Sequence, residues 1–159
     1  MKAQGLFKFT AKCVHVPFEA PRTFVYDWCT DYREDDAKLI GATWTRHIFE
    51  KTKSTVVWIA HYNTGGRSTE GIRIVSLKPK SSWHLVDYDD GVNEIGDYTL
   101  SEDGRNRTVL NMVFRETFKT GEPEPASTFE ARVGAMWAKY RAALEMDYAV
   151  SKRNRRKKQ

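Results

Sequence analysis

The stretch PASTFEARVGAMWAKYRAALEMDYAV, residues 125–150, sets Phe129, Val133, Met136, Trp137, Tyr140 and Leu144 three and four positions apart. That spacing is the period of one helix face, so the stretch predicts an amphipathic helix. Roughly 22 residues at 1.5 Å each make a rod of about 33 Å, long enough to cross a small domain. Ser127 followed by Glu130 is a capping-box pattern, and Pro125 just upstream suits a helix start. A long aromatic stripe has to be covered by something.

The preceding sequence supplies the cover. Apolar and polar residues mostly alternate from residue 6 to 18, which reads as a first strand with a bulge where the parity changes. After Ala20-Pro21 the period switches, and Phe24, Val25 and Trp28 follow at helical spacing. A second short helical turn, capped by Thr30 or Asp31, runs to Leu39 and stops at Gly41. Six further strand-like runs occupy residues 43–50, 55–62, 67–77, 82–88, 92–100 and 107–118, each bounded by Gly, Pro, Asn or Asp turn residues. Connections this short force antiparallel neighbours. The expected fold is therefore α+β: a curved seven-stranded antiparallel sheet wrapped around the C-terminal helix, with two short helices between the first two strands.

With 159 residues, 40% of them hydrophobic and 13% aromatic, the chain builds one domain with a sizeable core, expected over residues 1–150. The formal net charge of +5 is misleading, because Lys152, Arg153, Arg155, Arg156, Lys157 and Lys158 exceed it and leave the rest of the chain at −1. Residues 151–159 form a basic tail on a nearly neutral globule. Its cations are candidates for binding nucleic acid or an anionic membrane; the alternative is a solubilising end that complements the helix dipole. Without aromatic residues among them, base stacking is not indicated. Cys13 and Cys29 have neither CxxC nor His/Cys metal spacing, and the chain carries no signal-peptide pattern and no membrane-length apolar run. A reduced, cytoplasmic setting without metal or cofactor is expected.

The segment VPFEAPRTFVYDW, residues 16–28, resembles the strand-to-helix transition of the helix-grip fold of the START and birch-pollen-allergen superfamily, in its polyketide cyclase/dehydrase-like branch. A second likeness is Gly96-Asp97-Tyr98-Thr99-Leu100, a turn, and Thr108-Val109-Leu110. The resemblance spans about residues 6–150. It implies a cavity between the concave sheet face and the C-terminal helix that holds a lipid, polyketide, sterol or other apolar molecule; some members catalyse. It carries no catalytic motif across residue by residue.

Parity then selects candidate residues. Thr108, Leu110, Met112, Phe114, Glu116 and Phe118 share one strand face, as do Val92, Glu94, Tyr98 and Leu100. Glu94 and Glu116 are thus candidate polar anchors or general acid/base groups in an apolar pocket; the alternative sets them in water at strand ends. His61 shares parity with Val57 and Ile59 and is a candidate proton-transfer group, or else an ordinary sheet histidine. Trp58, Tyr98, Met112 and Phe114 from the strands, with Phe129, Val133, Met136, Trp137 and Tyr140 from the helix, are the expected ligand-binding residues. Arg73, between Ile72 and Ile74, reads as a solvent-facing arginine rather than a ligand partner. Gly134 either makes room for a ligand or permits close strand packing. The expected function is binding of a small hydrophobic or aromatic molecule, the alternatives being a cyclase- or dehydratase-like enzyme and a scaffold acting through its basic tail.

Overall fold

The computed structural model describes residues 8–64, 67–119 and 121–156. Among them, seven strands make one antiparallel sheet and three segments are helical: β1 (Lys8–Phe18), α1 (Arg22–Cys29), α2 (Asp36–Leu39), β2 (Thr45–Lys51), β3 (Thr55–Thr64), β4 (Arg67–Lys78), β5 (Ser82–Asp89), β6 (Val92–Glu102), β7 (Thr108–Phe118) and α3 (Ala126–Arg156). The strand order is β1-β7-β6-β5-β4-β3-β2. Strands β2 to β7 meander, and β1 pairs back on β7 in unbroken register from Lys8↔Phe118 to Phe18↔Thr108. The helix-grip architecture expected from the sequence is the one observed. Residues 6 and 7, the Gly65-Gly66 turn and the tail from residue 157 onward lie outside the described residues.

No bulge interrupts the β1/β7 register. The parity change is absorbed instead by Lys12, which points inward with Val14, Val16 and Phe18. A bulge is found elsewhere, between Ile48 and Glu50 of β2.

The Ala20-Pro21 corner works through its backbone. Pro21 holds an extended conformation before α1 and its carbonyl accepts the Val25 N–H at 3.1 Å. The Ala20 carbonyl accepts the Thr108 hydroxyl at 2.8 Å, so this buried corner is tied to β7. At α3 the expected capping box is not formed. The helix starts at Ala126, with Phe129 N–H bonded to Pro125 O, and Ser127 lies inside the first turn rather than ahead of it. Helix α3 also continues past residue 150 to Arg156, taking the first two thirds of the basic tail with it.

The apolar stripe of α3 is covered as its period requires: Phe129, Val133, Trp137 and Leu144 are buried against the concave sheet face. Polar ties fix its position. Trp28 Nε1 donates to Asp147 at 2.9 Å, Lys139 Nζ to Ile40 O at 2.9 Å, and Glu19 N–H to Glu145 at 2.9 Å.

Gly96 shows how tightly the centre is fitted. A Cβ there would lie 2.7 Å from Cε2 of Tyr98, whose ring is stacked on Trp83 at 5.0 Å and set edge-on to Phe114 at 5.7 Å. Gly96→Ala is expected to cost about 1–3 kcal/mol by overpacking. Chemical denaturation measures the loss, with near-ultraviolet circular dichroism reporting displacement of the Trp83–Tyr98 stack.

Candidate functional site

One row of side chains crosses the concave face from strand to strand. Trp58 of β3 is opposite Arg73 of β4, Arg73 opposite Asp87 of β5, Asp87 opposite Glu94 of β6, and Glu94 opposite Glu116 of β7. Lys12 of β1 closes the row with an ion pair to Glu116 at 2.5 Å, the two side chains only 1% and 8% exposed. The Lys12 ammonium also lies 4.3 Å from the centre of the Phe129 ring. At the other end Arg73 forks onto Asp87 Oδ2, at 2.7 Å from Nε and 2.6 Å from the terminal nitrogen. The second Asp87 oxygen is buried without a partner, and a Cβ on Gly71 would approach it to 2.9 Å.

Glu94 sits between two carboxylates. Burial above all, then the charges of Glu116 and Asp87 and a hydrogen bond with Glu116, push its pKa up from 4.5 to about 7, against the opposing pull of Arg73. With Glu94 protonated, the row reads plus, minus, neutral, minus, plus.

Beside the Arg73 end lies a cavity of about 120 Å³, walled by α1, α2, α3 and strands β2 to β6. Rings dominate its wall: Trp28, Tyr32, Trp58, Trp83, Tyr98, Trp137 and Tyr140, with Arg46 and Arg73 among them. Tyr32 packs on Trp58 at 4.9 Å and holds a positive φ of 37°, rare for a residue with a side chain. Arg46 is gripped by Trp58, Trp44 and Tyr32 at 4.6, 4.9 and 5.4 Å, and its guanidinium bonds Asp36 at 2.7 Å. Burial raises the pKa of the Tyr32 and Tyr98 phenols, keeping both as neutral donors.

Of the residues expected at a ligand site, Trp58, Tyr98, Trp137 and Tyr140 line this cavity. Met112, Phe114, Phe129 and Val133 are buried in the core and Met136 packs on it. Glu94 and Glu116 face inward, in the row rather than in the cavity wall. His61 does not face inward. Its side chain is 42% exposed and pairs with Glu70 at 3.0 Å, because β3 buries Val56, Trp58 and Ala60 and turns the opposite parity outward. Arg73 corrects in the other direction, from solvent to interior, since its isoleucine neighbours are the exposed ones. Gly134 serves no close packing: a Cβ there would meet nothing within 4 Å.

Sequence reading missed Lys12, Arg46 and Asp87, whose inward parity with buried neighbours was the available signal. The other histidines make polar contacts: His15 with Asn111 at 2.8 Å, His47 with Glu34 at 3.6 Å and His84 with Asp97 at 2.6 Å. Among the described residues no three His, Cys, Asp or Glu side chains are grouped to hold a metal ion, and no helix is long and apolar enough to cross a membrane.

In this arrangement of curved sheet and C-terminal helix the chain shares its fold with solved structures of low sequence identity. The solved structures similar to it include Ara h 8.0201 (9% identity, TM-score 0.67, covering 86% of this chain and 98% of that one). They also include the Zhui aromatase/cyclase from Streptomyces sp. R1128 (14% identity, TM-score 0.61, covering 94% and 96%). A START superfamily protein from Mycobacterium smegmatis is similar too (14% identity, TM-score 0.60, covering 87% and 95%). No family model and no curated sequence matches the chain.

Two predictions follow from the row. Glu116→Gln strands the Lys12 ammonium in the interior and is expected to cost about 3–5 kcal/mol, most of it recovered in Lys12→Met/Glu116→Gln, as urea denaturation of the two variants will show. Glu94 binds its proton more tightly folded than unfolded, so stability is highest below pH 4.5 as far as this group is concerned and falls as pH rises to about 7. Glu94→Gln should flatten that fall and raise the melting temperature at pH 8 by about 2–4 °C, the shift worth about 1 kcal/mol in a domain of this size.

Proposed function

We propose that the chain binds a small aromatic or otherwise apolar molecule in the cavity between the sheet and α3. The observation that carries this is the wall itself, where seven aromatic side chains surround empty space instead of filling it. Cores are close-packed, and an unfilled space forgoes dispersion contacts on every side. A flat ring restores those contacts. At about 120 Å³ the space suits a molecule of about one ring, near the size of an apolar cavity that takes benzene and below the roughly 300 Å³ where drug-sized pockets begin. A lipid or polyketide would have to displace side chains at the rim, such as Leu39.

Native mass spectrometry of gently purified protein, set against the denatured mass, is expected to show a discrete extra mass or saturable uptake of an added aromatic. Leu85→Phe, which fills the cavity, should abolish uptake; undiminished uptake in a folded Leu85→Phe protein would remove the reading.

A second reading is enzymatic, with Glu94 as a general acid/base group, supported by a pKa near 7 that keeps both protonation states populated at neutral pH. It includes Glu116 as the group that tunes Glu94, but not the outward-facing His61. An activity that survives Glu94→Gln would dismiss it. For the basic segment, support is limited to its helical continuity, Lys152, Arg153 and Arg155 being exposed on the end of α3. Binding to nucleic acid or an anionic membrane there would be salt-sensitive and lost on deletion of residues 151–159.

A further inference from the structure

Two hydrogen-bond donors in the cavity wall have nothing to donate to. Arg46 Nε and Trp58 Nε1 are both buried without a partner. The side chain of Arg46 is 7% exposed and Trp58 is 1% exposed, so bulk water reaches neither. The two are adjacent, with the guanidinium carbon 4.6 Å from the centre of the Trp58 ring, and both line the cavity. Most buried polar groups in folded proteins have a partner, and although Arg22 Nε, Tyr26 OH, Asp87 Oδ1 and Asn93 Oδ1 also lack one here, Arg46 Nε and Trp58 Nε1 are two donors side by side on the wall of a cavity.

The carboxylate in the wall is bonded to neither donor. That carboxylate, Asp36, is already engaged by the Arg46 terminal nitrogen at 2.7 Å and is shared with Arg33, whose backbone N–H bonds it at 3.0 Å and whose Nε approaches to 3.4 Å. Arg46 thus shares its counter-ion with Arg33, and both bonds it makes, to Asp36 and to Arg33 O at 3.0 Å, leave from a terminal nitrogen and not from Nε. Its charge is held against the faces of Trp58, Trp44 and Tyr32, which orient the guanidinium and leave its Nε edge free. Arg73, the other guanidinium in the wall, is committed to Asp87.

We propose that Arg46 and Trp58 form an oxyanion-binding subsite, and that the ligand of this cavity is a planar aromatic carboxylate. The ring occupies the space among the tryptophans and tyrosines, and the carboxylate oxygens accept from Arg46 Nε and Trp58 Nε1. This deepens the ligand-binding reading above and rests on it. Recognition is directional: the rings accept any flat apolar body, while the two donors reward only a molecule that brings an acceptor, and the cation rewards one that brings a negative charge.

The test compares benzoate with benzyl alcohol, which keeps the ring and removes the charge, by titration followed in proton–nitrogen NMR spectra. Benzoate is expected to bind at least about tenfold more tightly and to shift the Trp58 indole N–H signal, identified by its loss in Trp58→Phe. Arg46→Met, which keeps the packed stem but removes the charge and the Nε donor, should weaken benzoate by at least about tenfold and so erase its preference over benzyl alcohol. Trp58→Phe keeps a ring and should weaken benzoate alone by about threefold to tenfold. If Arg46→Met does not fold, Arg46→Lys, which keeps the charge but not the Nε donor, takes its place and should reduce the preference.

Equal or tighter binding of benzyl alcohol in the native protein, or a preference for benzoate that persists in both folded variants, overturns the subsite and leaves the cavity reading standing. If neither molecule binds, both readings fall together.

Discussion

The interior is organised by a line of charges that lies in register across four strands and ends in a diagonal ion pair to a fifth. Arg73, Asp87, Glu94 and Glu116 occupy consecutive paired positions from β4 to β7, and Lys12 of β1 ends the line. Taking this many ionisable groups out of water is expensive, and what offsets the cost is that each end is an ion pair with good hydrogen-bond geometry. The middle member cannot be paired in the same way. Glu94 has a carboxylate on each side, so the line is electrically neutral only while Glu94 holds its proton.

That line also divides the space under α3. On its β1 side Phe114, Phe129 and Met112 are buried in the core, with the Lys12 ammonium over the Phe129 ring, and none of them lines the cavity. On the other side Arg73 faces a ring-walled space, and the aromatic contacts that begin at Phe129 continue through Phe114, Tyr98 and Trp83 to Tyr26. The cavity is thus bounded by a chain of aromatic contacts on one side and by α1 and α2 on another, with Arg46, Arg73 and Asp36 as its charged features.

Much of this was legible in the chain. The helical period of residues 125–150 and the turn residues between the alternating runs determine the grip architecture, and the alternation Leu110, Met112, Phe114 against Asn111 and Arg115 orients β7 correctly. Strand β3 resisted for a physical reason. Val56, Trp58 and Ala60 face inward, but Val57 and Ile59 on the outer face are apolar too, so hydropathy does not distinguish the faces and His61 was read on the wrong one. The same ambiguity hid Arg73 between two outward isoleucines. Lys12, Arg46 and Asp87 share parity with buried neighbours, but a charge tolerates burial only if a partner awaits it, and the partner of Lys12 is 104 residues away in sequence. The site is therefore a property of strand pairing, not of any local motif.

The pairing of β1 with β7 has a consequence for the order in which the molecule assembles. Strands β2 to β7 each find their neighbour by a short turn, whereas the first strand of the chain has its partner in the last. Closing a loop of that length before its contacts are formed makes β1 docking an intrinsically late and slow event. On a ribosome the amino-terminal strand emerges first and waits longest. Until it arrives, the Lys12–Glu116 ion pair cannot form, so closure of the sheet edge and burial of that pair are one and the same step.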